Sequence, residues 1–206
     1  MRPEFVFLDL GNVIVSFDRE RSFRQMAAVA GIDPPAVQKT LEIHRLPEAL
    51  ERGAIDWPQF HEEFCRLTGT APASEALAHA ASDMFTLNIA MLPVIAGLER
   101  AGVPLGILSN TCGIHWNHLL LNRYAVLPGN FAATVLSHEV AAVKPEPAIY
   151  ARAAEQAGVR PERIFFCDDI PAHVAAARAA GWDAEVFTSA AGLIDALDRR
   201  GLNLGV

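Results

Sequence analysis

The stretch FVFLDLGN, from Phe5 to Asn12, decides how the rest of this chain is interpreted. Its first four residues are apolar, rich in aromatic and β-branched side chains and too few for a helix, which predicts a strand buried on both faces. Asp9 ends this run, and Gly11 and Asn12 tolerate the positive φ of a sharp turn. We therefore expect the Asp9 carboxylate at the C-terminal end of the strand, where open parallel sheets bind ligands. An ordinary turn would carry the same residues, so the rest of the chain has to decide.

Composition bounds the class of protein. The chain has 206 residues, 51% of them hydrophobic, and a formal net charge of -7. This suffices for one domain with a second one inserted, and the acidic balance argues against a nucleic-acid surface. Three widely spaced cysteines suit a reducing compartment. The apolar segments predict neither a signal peptide nor a membrane span, so we expect a cytoplasmic protein without membrane or nucleic-acid partners. The sequence leaves both a monomer and a homodimer open.

Residues 17–86 have the hydrophobic pattern of helices. Three clusters of Gly, Asp and Pro interrupt it and predict about four short helices, with Asp56 as an N-cap. The stripe of Phe60, Phe64 and Leu67 is most simply the core of this segment, whereas His44 and Arg45, near a break, either face a site or lie in a solvated loop. We interpret 17–86 as a helical cap domain inserted into a core formed by residues 1–16 and 87–206.

The remainder of the chain alternates strands and helices, as α/β proteins do. The predicted strands are Val103 to Leu108, Ala133 to Leu136, Ile164 to Cys167 and Ala184 to Phe187. The predicted helices are Leu92 to Arg100, Pro147 to Gln156, Pro171 to Ala180 and Ala191 to Arg199. With the first strand, these elements predict a doubly wound, Rossmann-like parallel sheet whose strands all end at one edge.

Polar residues follow two further regions of this predicted core. Ser109, Asn110 and Thr111 come directly after a strand, and their hydroxyl, amide and backbone N–H groups suit the oxygens of a phosphate, although a helix cap would use the same residues. Lys144 precedes Pro145, which disfavours a helical lysine and holds it in a stiff segment. The alternative for this lysine is an ordinary solvated charge.

Asp168 and Asp169 follow the buried run Ile-Phe-Phe-Cys. Two adjacent carboxylates repel each other unless a cation or hydrogen-bond donors share them, and hard oxygen ligands of this kind suit Mg²⁺. The alternative is that one of them caps the next helix. We expect Asp169 to be the metal ligand and Asp168 to support it or to cap the helix.

This order of motifs resembles the haloacid dehalogenase (HAD) superfamily over nearly the whole chain. The matching segments are DLGNV at Asp9, LSNT at Ser109, VKPEP at Lys144 and FFCDD at Asp168 and Asp169. Receiver domains of two-component signalling use a similar set, but their acidic pair comes early in the chain, which excludes them. The segments are most similar to those of α-glucose-1-phosphate phosphatase-like enzymes, and the helical insertion resembles the small cap of one HAD class.

The resemblance implies a phosphatase that acts on a small phosphorylated metabolite, with a sugar phosphate as the expected substrate. Asp9 would attack phosphorus and form an aspartyl phosphate, which water then hydrolyses. Mg²⁺ would bind to Asp9, to the Gly11 carbonyl and to Asp169, with Asp168 beside them. The implied phosphate-binding residues are Gly11, Asn12, Ser109, Asn110 and Lys144, of which Ser109 and Lys144 would also act in catalysis.

Two positions depart from the resemblance. Most phosphatases of this superfamily have a second aspartate two residues after the nucleophile as general acid and base, where this chain has Gly11. Its loss favours anomeric or acyl phosphates, whose leaving groups need less protonation. His173 stands where the family usually has Asp or Asn, and imidazole as a ligand would favour Mn²⁺ or Co²⁺ over Mg²⁺. Otherwise His173 hydrogen-bonds a ligand residue or lies on the helix surface.

Two other functions stay open from the sequence. A 2-haloacid dehalogenase would use Asp9 to attack carbon without a metal, although that chemistry gains nothing from the acidic pair. A catalytically silent phosphate-binding module would keep the fold and lose turnover. His115, Trp116 and His118, after the Ser109 loop, are further candidates for lining a pocket, with Trp116 equally suited to packing at the hinge of the cap.

Overall fold

The computed structural model describes residues 1–121 and 131–205. Its central sheet has five strands, all parallel, in the spatial order Phe131–Leu136, Leu105–Ser109, Phe5–Leu8, Ile164–Asp168 and Asp183–Val186. These strands are β1 (Phe5–Leu8), β4 (Leu105–Ser109), β5 (Phe131–Leu136), β6 (Ile164–Asp168) and β7 (Asp183–Val186). The predicted Rossmann-like core is therefore confirmed, and its strands end at one common edge.

Strand β1 lies at the centre of this sheet. Val6 pairs with Leu105 of β4 on one side and with Phe165 of β6 on the other. All four residues of β1 are buried because helices cover both faces of a doubly wound sheet. Asp9, the next residue, thus lies between the ends of β4 and β6.

Helices pack on both faces of the sheet. They are α6 (Leu92–Arg100), α7 (Gly113–Leu121), α8 (Ser137–Val140), α9 (Pro147–Ala157), α10 (Pro171–Ala179) and α11 (Ala190–Asp198), with 3-10 turns at Ile89–Met91 and Pro161–Arg163. One hydrophobic cluster includes Leu98 of α6 and Leu197 of α11, and the other includes Tyr150 of α9 and Val174 of α10. In the described chain no helix is both long and apolar enough to cross a membrane.

The region between β1 and α6 is helical. It contains α1 (Arg19–Ala30), α2 (Pro34–His44), α3 (Leu46–Glu51), α4 (Trp57–Thr68) and α5 (Ser74–Ser82). The expectation of about four helices was therefore wrong by one, because Arg45 takes a left-handed conformation with φ of 51° and Pro47 follows it, which separates α2 from α3. These helices have a hydrophobic cluster of their own, centred on Phe60 and Phe64.

A short antiparallel ribbon leads into and out of this helical region. Strand β2 (Val15–Phe17) pairs with β3 (Phe85–Leu87), with Val15 opposite Leu87. Three residues per strand are too few for a periodic pattern, so the sequence did not reveal the ribbon. The pairing holds the two connections side by side and fixes Phe17 near the end of β1.

The four strands predicted after the first one differ from the observed strands by one or two residues at one or both ends, and β4 and β7 show why. Val103 donates its N–H to the Leu98 carbonyl and so belongs to the turn that closes α6, while β4 extends to Ser109, which pairs with Leu136. Strand β7 begins at Asp183 rather than at Ala184 because Asp183 already pairs with Phe165. Ser109 and Asp183 are polar residues that take part in strand pairing, and a search for hydrophobic runs does not find such strand ends.

Candidate active site

Asp9 is a buried carboxylate held by the chain around it. Only 6% of the residue is exposed. Its backbone N–H donates to the Cys167 carbonyl, which continues the pairing with β6, and its Oδ1 accepts a hydrogen bond of 2.7 Å from the Leu10 N–H. The Lys144 ammonium nitrogen lies 2.8 Å from the same oxygen. The carboxylate is thus oriented by the sheet edge and partly neutralised by a fixed cation.

Lys144 forms a second ion pair in the same place. Its Nζ lies 2.5 Å from Oδ2 of Asp168, and 3% of the lysine is exposed. The peptide bond between Lys144 and Pro145 is cis. The Asn110 side chain binds the Lys144 backbone through two hydrogen bonds, accepting from its N–H at 2.7 Å and donating to its carbonyl at 2.9 Å. Asn110 therefore fixes the segment that presents the lysine.

Three carboxylates meet beside this lysine. Oxygens of Asp9, Asp168 and Asp169 all lie within 4.8 Å of one another. Burial raises the pKa of Asp9 to about 6, against the attraction of Lys144 and with repulsion from Asp168. Burial also acts to raise the pKa of Asp168, but hydrogen bonds from His173 and Lys144 outweigh it and hold that pKa below its usual value. Three hard oxygen donors against one ammonium leave negative charge in excess, so the residues fit a divalent cation such as Mg²⁺.

Asn12 and Asp169 connect the turn after β1 to the end of β6. The Asn12 amide donates a hydrogen bond of 2.9 Å to Oδ2 of Asp169. Of the two turn residues that tolerate a positive φ, Asn12 takes one, with a φ of 55°, and Gly11 does not. The Asn12 amide thus orients the carboxylate of Asp169, one of the three that meet beside Lys144.

The structure brings the loop after β4 to the same edge. Ser109 is buried and borders the cavity described below. The Thr111 N–H donates to Oγ of Ser137 at 2.9 Å, which fixes the loop from its far side. Because the Asn110 side chain is hydrogen-bonded to the Lys144 backbone, the Ser109 hydroxyl and the loop backbone are the groups of this segment that can bind a ligand.

A cavity of about 570 Å³ lies between the sheet edge and the helical region. On the sheet side its walls include Asp9, Ser109, Lys144, Asp169 and His173. On the helical side they include Arg19, Phe23, Glu51, Trp57 and Phe60. The volume suits a small metabolite, and all the predicted site residues at the sheet edge except Asp168, which lies behind Asp9 and Lys144, border it.

A model of the haloacid dehalogenase-like hydrolase family matches residues 4–181. The chain belongs to this family. Its fold is similar to that of a HAD family enzyme from Bacteroides thetaiotaomicron in complex with magnesium and inorganic phosphate, at 24% identity over 91% of this chain and 95% of the other, with a TM-score of 0.81. The protein is accordingly a HAD-type hydrolase.

Two further solved structures show the range of the family. A predicted HAD-like hydrolase from Porphyromonas gingivalis is 25% identical over 97% of this chain and 98% of its own, with a TM-score of 0.80. L-2-haloacid dehalogenase from Xanthobacter autotrophicus, with chloropropionic acid covalently bound, is 21% identical over 88% of this chain and 76% of its own, with a TM-score of 0.62. Likeness at this level shows a shared fold.

Gly11, at the position where most HAD phosphatases have a second aspartate, lies against Phe17. A Cβ at residue 11 would lie 3.0 Å from Cε1 of the Phe17 ring. This is closer than ordinary van der Waals contact, so a side chain here would have to displace the ring. The ribbon formed by β2 and β3 holds Phe17 in that place. The packing around Gly11 therefore leaves little room for a side chain at the position where the family usually has an aspartate.

His173 lies beneath the acidic group. It is buried in α10, and its Nδ1 lies 3.0 Å from Oδ2 and 3.1 Å from Oδ1 of Asp168. The Tyr150 hydroxyl donates to the His173 carbonyl at 2.8 Å. His173 therefore contacts the three carboxylates through Asp168, and because it is buried it is not a helix-surface residue.

The remaining candidates, which lie outside the sequence motifs, differ in whether they border the cavity. His44 and Arg45 do not border the cavity; both are exposed, and Arg45 pairs with Glu48 at 3.7 Å. Trp116 packs against the hydrophobic cluster of α6 and α11, and His118 is buried with its ring 5.7 Å from that of His79.

His115 does border the cavity. Burial lowers its pKa to about 4, so its imidazole is neutral near pH 7.

Arg19, Glu51 and Trp57 border the cavity and were missed by the sequence analysis. Each is the first or last residue of a helix, but charged and aromatic residues are common at helix ends, and nothing in the sequence indicates which face turns to the site. Phe60 was assigned to the core of the helical region, where it is 3% exposed, and it also borders the cavity.

Proposed function

We propose that this hydrolase is a Mg²⁺-dependent phosphatase that acts on a small sugar phosphate through an aspartyl-phosphate intermediate on Asp9. The observation that carries this proposal is that three groups meet at the edge of one cavity. They are the Asp9 carboxylate, the Lys144 ammonium 2.8 Å from it, and the carboxylates of Asp168 and Asp169, whose oxygens lie within 4.8 Å of each other and of Asp9. A nucleophile, a cation for phosphate oxygens and a divalent-metal donor set are the parts that phosphoryl transfer needs.

In the proposed first step a carboxylate oxygen of Asp9 attacks phosphorus and the bond from phosphorus to the leaving-group oxygen breaks. The leaving group departs with the electron pair of that bond and takes a proton from water. The Leu10 N–H and Lys144 hold the carboxylate in place. Lys144 and the Ser109 hydroxyl are placed to stabilise the charge that develops on the phosphoryl oxygens. Water then cleaves the acyl phosphate and regenerates Asp9. Asn110 acts through its two hydrogen bonds to the Lys144 backbone.

The metal would be held by Asp9, Asp169 and the Gly11 carbonyl. When bound, Mg²⁺ supplies positive charge that offsets the repulsion between a carboxylate and a phosphate dianion. Asp168 would fix the Lys144 ammonium beside this set, since its oxygens accept from Lys144, His173 and the Ile170 N–H. Asn12 orients Asp169 by a hydrogen bond. Because His173 contacts Asp168 through Nδ1, the donor set is oxygen-rich and favours Mg²⁺ over Mn²⁺ or Co²⁺.

The substrate proposal follows from Gly11 and the cavity. A missing general acid typically costs about 10²- to 10⁴-fold, least for a leaving group that departs without a proton. Anomeric and acyl phosphates have such leaving groups, which agrees with the sequence resemblance to α-glucose-1-phosphate phosphatases. Trp57 and Phe60, stacked at 4.9 Å between ring centroids, add an aromatic wall of the kind that contacts sugar rings.

The test is phosphate release from anomeric and alkyl sugar phosphates and from acetyl phosphate, with Mg²⁺, Mn²⁺, Co²⁺ or chelator. The proposal predicts turnover that needs a divalent ion, is highest with Mg²⁺ and favours anomeric over alkyl esters. Chloride release from 2-chloropropionate in the presence of chelator, with no phosphate release, would contradict it in favour of a dehalogenase. Binding of phosphate without turnover of any substrate would favour a silent module. The three free cysteines lead us to propose a cytoplasmic location.

A further inference from the structure

Glu51 is a carboxylate of the helical region that faces the cavity. It is the last residue of α3 and borders the same space as Asp9. Among residues 1–121 and 131–205 its carboxylate has no hydrogen-bond or ion-pair partner. Burial raises its pKa to about 7, with Arg19 opposing and Glu48 adding to the rise. At the wall of the cavity such a carboxylate is available to a ligand that offers it a hydrogen bond.

The backbone at Glu51 is fixed to the sheet domain. The Ser137 hydroxyl lies 2.6 Å from the Glu51 carbonyl, to which it donates, and it accepts from the Thr111 N–H at 2.9 Å. Ser137 is fully buried. One hydroxyl therefore joins the end of α3 to the loop that follows β4, the loop that carries Ser109.

The next two residues dock on the sheet domain as well. Arg52 forms an ion pair of 2.7 Å with Glu146, two residues after Lys144. Gly53, with a φ of 65°, packs so closely that a Cβ there would lie 2.4 Å from the His138 carbonyl oxygen. Three consecutive residues of the helical region thus contact segments that carry or adjoin the phosphate-binding groups. The position of the Glu51 side chain relative to Lys144 and Ser109 is set by these contacts.

The charges around Glu51 select among leaving groups. Arg19 and Glu48 also border this side of the cavity, and the Arg19 guanidinium lies 5.5 Å from the centroid of the Phe17 ring. Two acids facing one guanidinium disfavour a leaving group with a second phosphate or a carboxylate. A carboxylate accepts well from hydroxyl groups, and a group that is partly protonated near neutral pH also donates.

We infer that Glu51 is a specificity-determining residue that hydrogen-bonds a hydroxyl of an uncharged, sugar-like leaving group while Asp9 and Lys144 bind the phosphate. The inference rests on the proposed function and adds to it the residue that distinguishes one phosphate ester from another. Glu51 binds the leaving group and takes no part in the transfer to Asp9.

The test compares Glu51→Gln and Glu51→Ala with the wild type on the preferred sugar phosphate and on acetyl phosphate, which has no hydroxyl. Glu62→Gln is the matched control, because Glu62 is an exposed carboxylate of α4 that does not border the cavity. We expect the ratio of kcat/KM for the sugar phosphate to kcat/KM for acetyl phosphate to fall roughly 10- to 100-fold in Glu51→Ala, mainly through KM, and to stay at the wild-type value in Glu62→Gln.

Monodeoxy sugar phosphates locate the hydroxyl. For the analogue that lacks the contacted hydroxyl, Glu51→Ala and the wild type should have the same kcat/KM, because the interaction is already absent. An unchanged ratio in Glu51→Ala would overturn the inference and leave the phosphatase proposal standing. Preference for a bisphosphate or a carboxylated phosphate would overturn it as well. Absence of metal-dependent turnover by the wild type on every substrate would overturn the proposed function, and the inference with it.

Discussion

Asn110 and Lys144 are joined by two hydrogen bonds, of 2.7 Å and 2.9 Å, between the amide side chain of the first and the backbone of the second. The loop after β4 and the segment that carries Lys144 are not paired as strands, and the Asn110 side chain links them instead. As a result, the backbone of Lys144 is fixed directly beneath the side chain whose ammonium group contacts Asp9 and Asp168.

Asn110→Asp should lower kcat/KM for phosphate release by about 10- to 100-fold, since the carboxylate keeps the acceptor for the Lys144 N–H but loses the donor to its carbonyl. Asn110→Ala should lower it at least as much. Asn117→Ala is the matched control, because Asn117 is an exposed residue of α7, and it should leave kcat/KM unchanged. Equal activity of Asn110→Ala and the wild type would contradict the positioning role.

Lys144→Met should abolish measurable turnover and also destabilise the fold. The substitution leaves the buried carboxylates of Asp9 and Asp168 without their shared cation, which typically costs about 3 to 5 kcal/mol. Urea unfolding at neutral pH with chelator measures the change in the free energy of unfolding. Adding Asp9→Asn to Lys144→Met should restore part of the loss, and no restoration would show that repulsion between the acids is not the cause.

His173→Asn tests how the histidine acts. If His173 contacts only Asp168, the ratio of activity with Mg²⁺ to activity with Mn²⁺ should stay within about twofold of wild type, while kcat falls because the shorter asparagine side chain holds its N–H donor farther from Asp168. Titration of activity with each metal gives the ratio. A large shift of the ratio toward Mg²⁺ in the variant would show that the imidazole binds the metal directly.

Glu51→Gln should stabilise the protein at alkaline pH. The folded-state pKa of about 7 lies above the usual 4.5, so the fold binds a proton that the unfolded chain releases, and stability falls as pH rises between these values. The amide avoids this penalty. We expect a gain of about 1 to 3 kcal/mol near pH 8 and little gain near pH 5. Unfolding by urea at both pH values measures it, and an equal change at both would contradict the assigned cause.

The sheet-edge half of the site could be predicted from the sequence because it depends on strand ends. Buried apolar runs locate β1, β4 and β6, and parallel strands bring the residues after them to one edge whatever the rest of the chain does. Asp9, Ser109 and Asp169 are therefore placed by pattern alone. Lys144 needed the additional signal of the prolines that follow it.

The other half of the site could not be predicted, because it depends on how helices pack over the sheet. Glu51 and Arg19 end or begin helices, and the amphipathic pattern shows which face is buried but not which rim meets the cavity. The role of Asn110 was also hidden, since a side chain that binds a backbone 34 residues away leaves no local pattern. The left-handed conformation of Arg45, which adds a fifth helix, is equally unmarked in composition.

Transient phosphorylation of Asp9 tests the central claim most directly. Wild-type protein is mixed with Mg²⁺ and a sugar phosphate carrying radiolabelled phosphate, quenched in acid and compared with Asp9→Asn treated in the same way. The denatured wild type should carry label that hydroxylamine releases, as it does from an acyl phosphate, and the variant should carry no label. Turnover by Asp9→Asn at the wild-type rate, or label that remains on the variant, would contradict the claim.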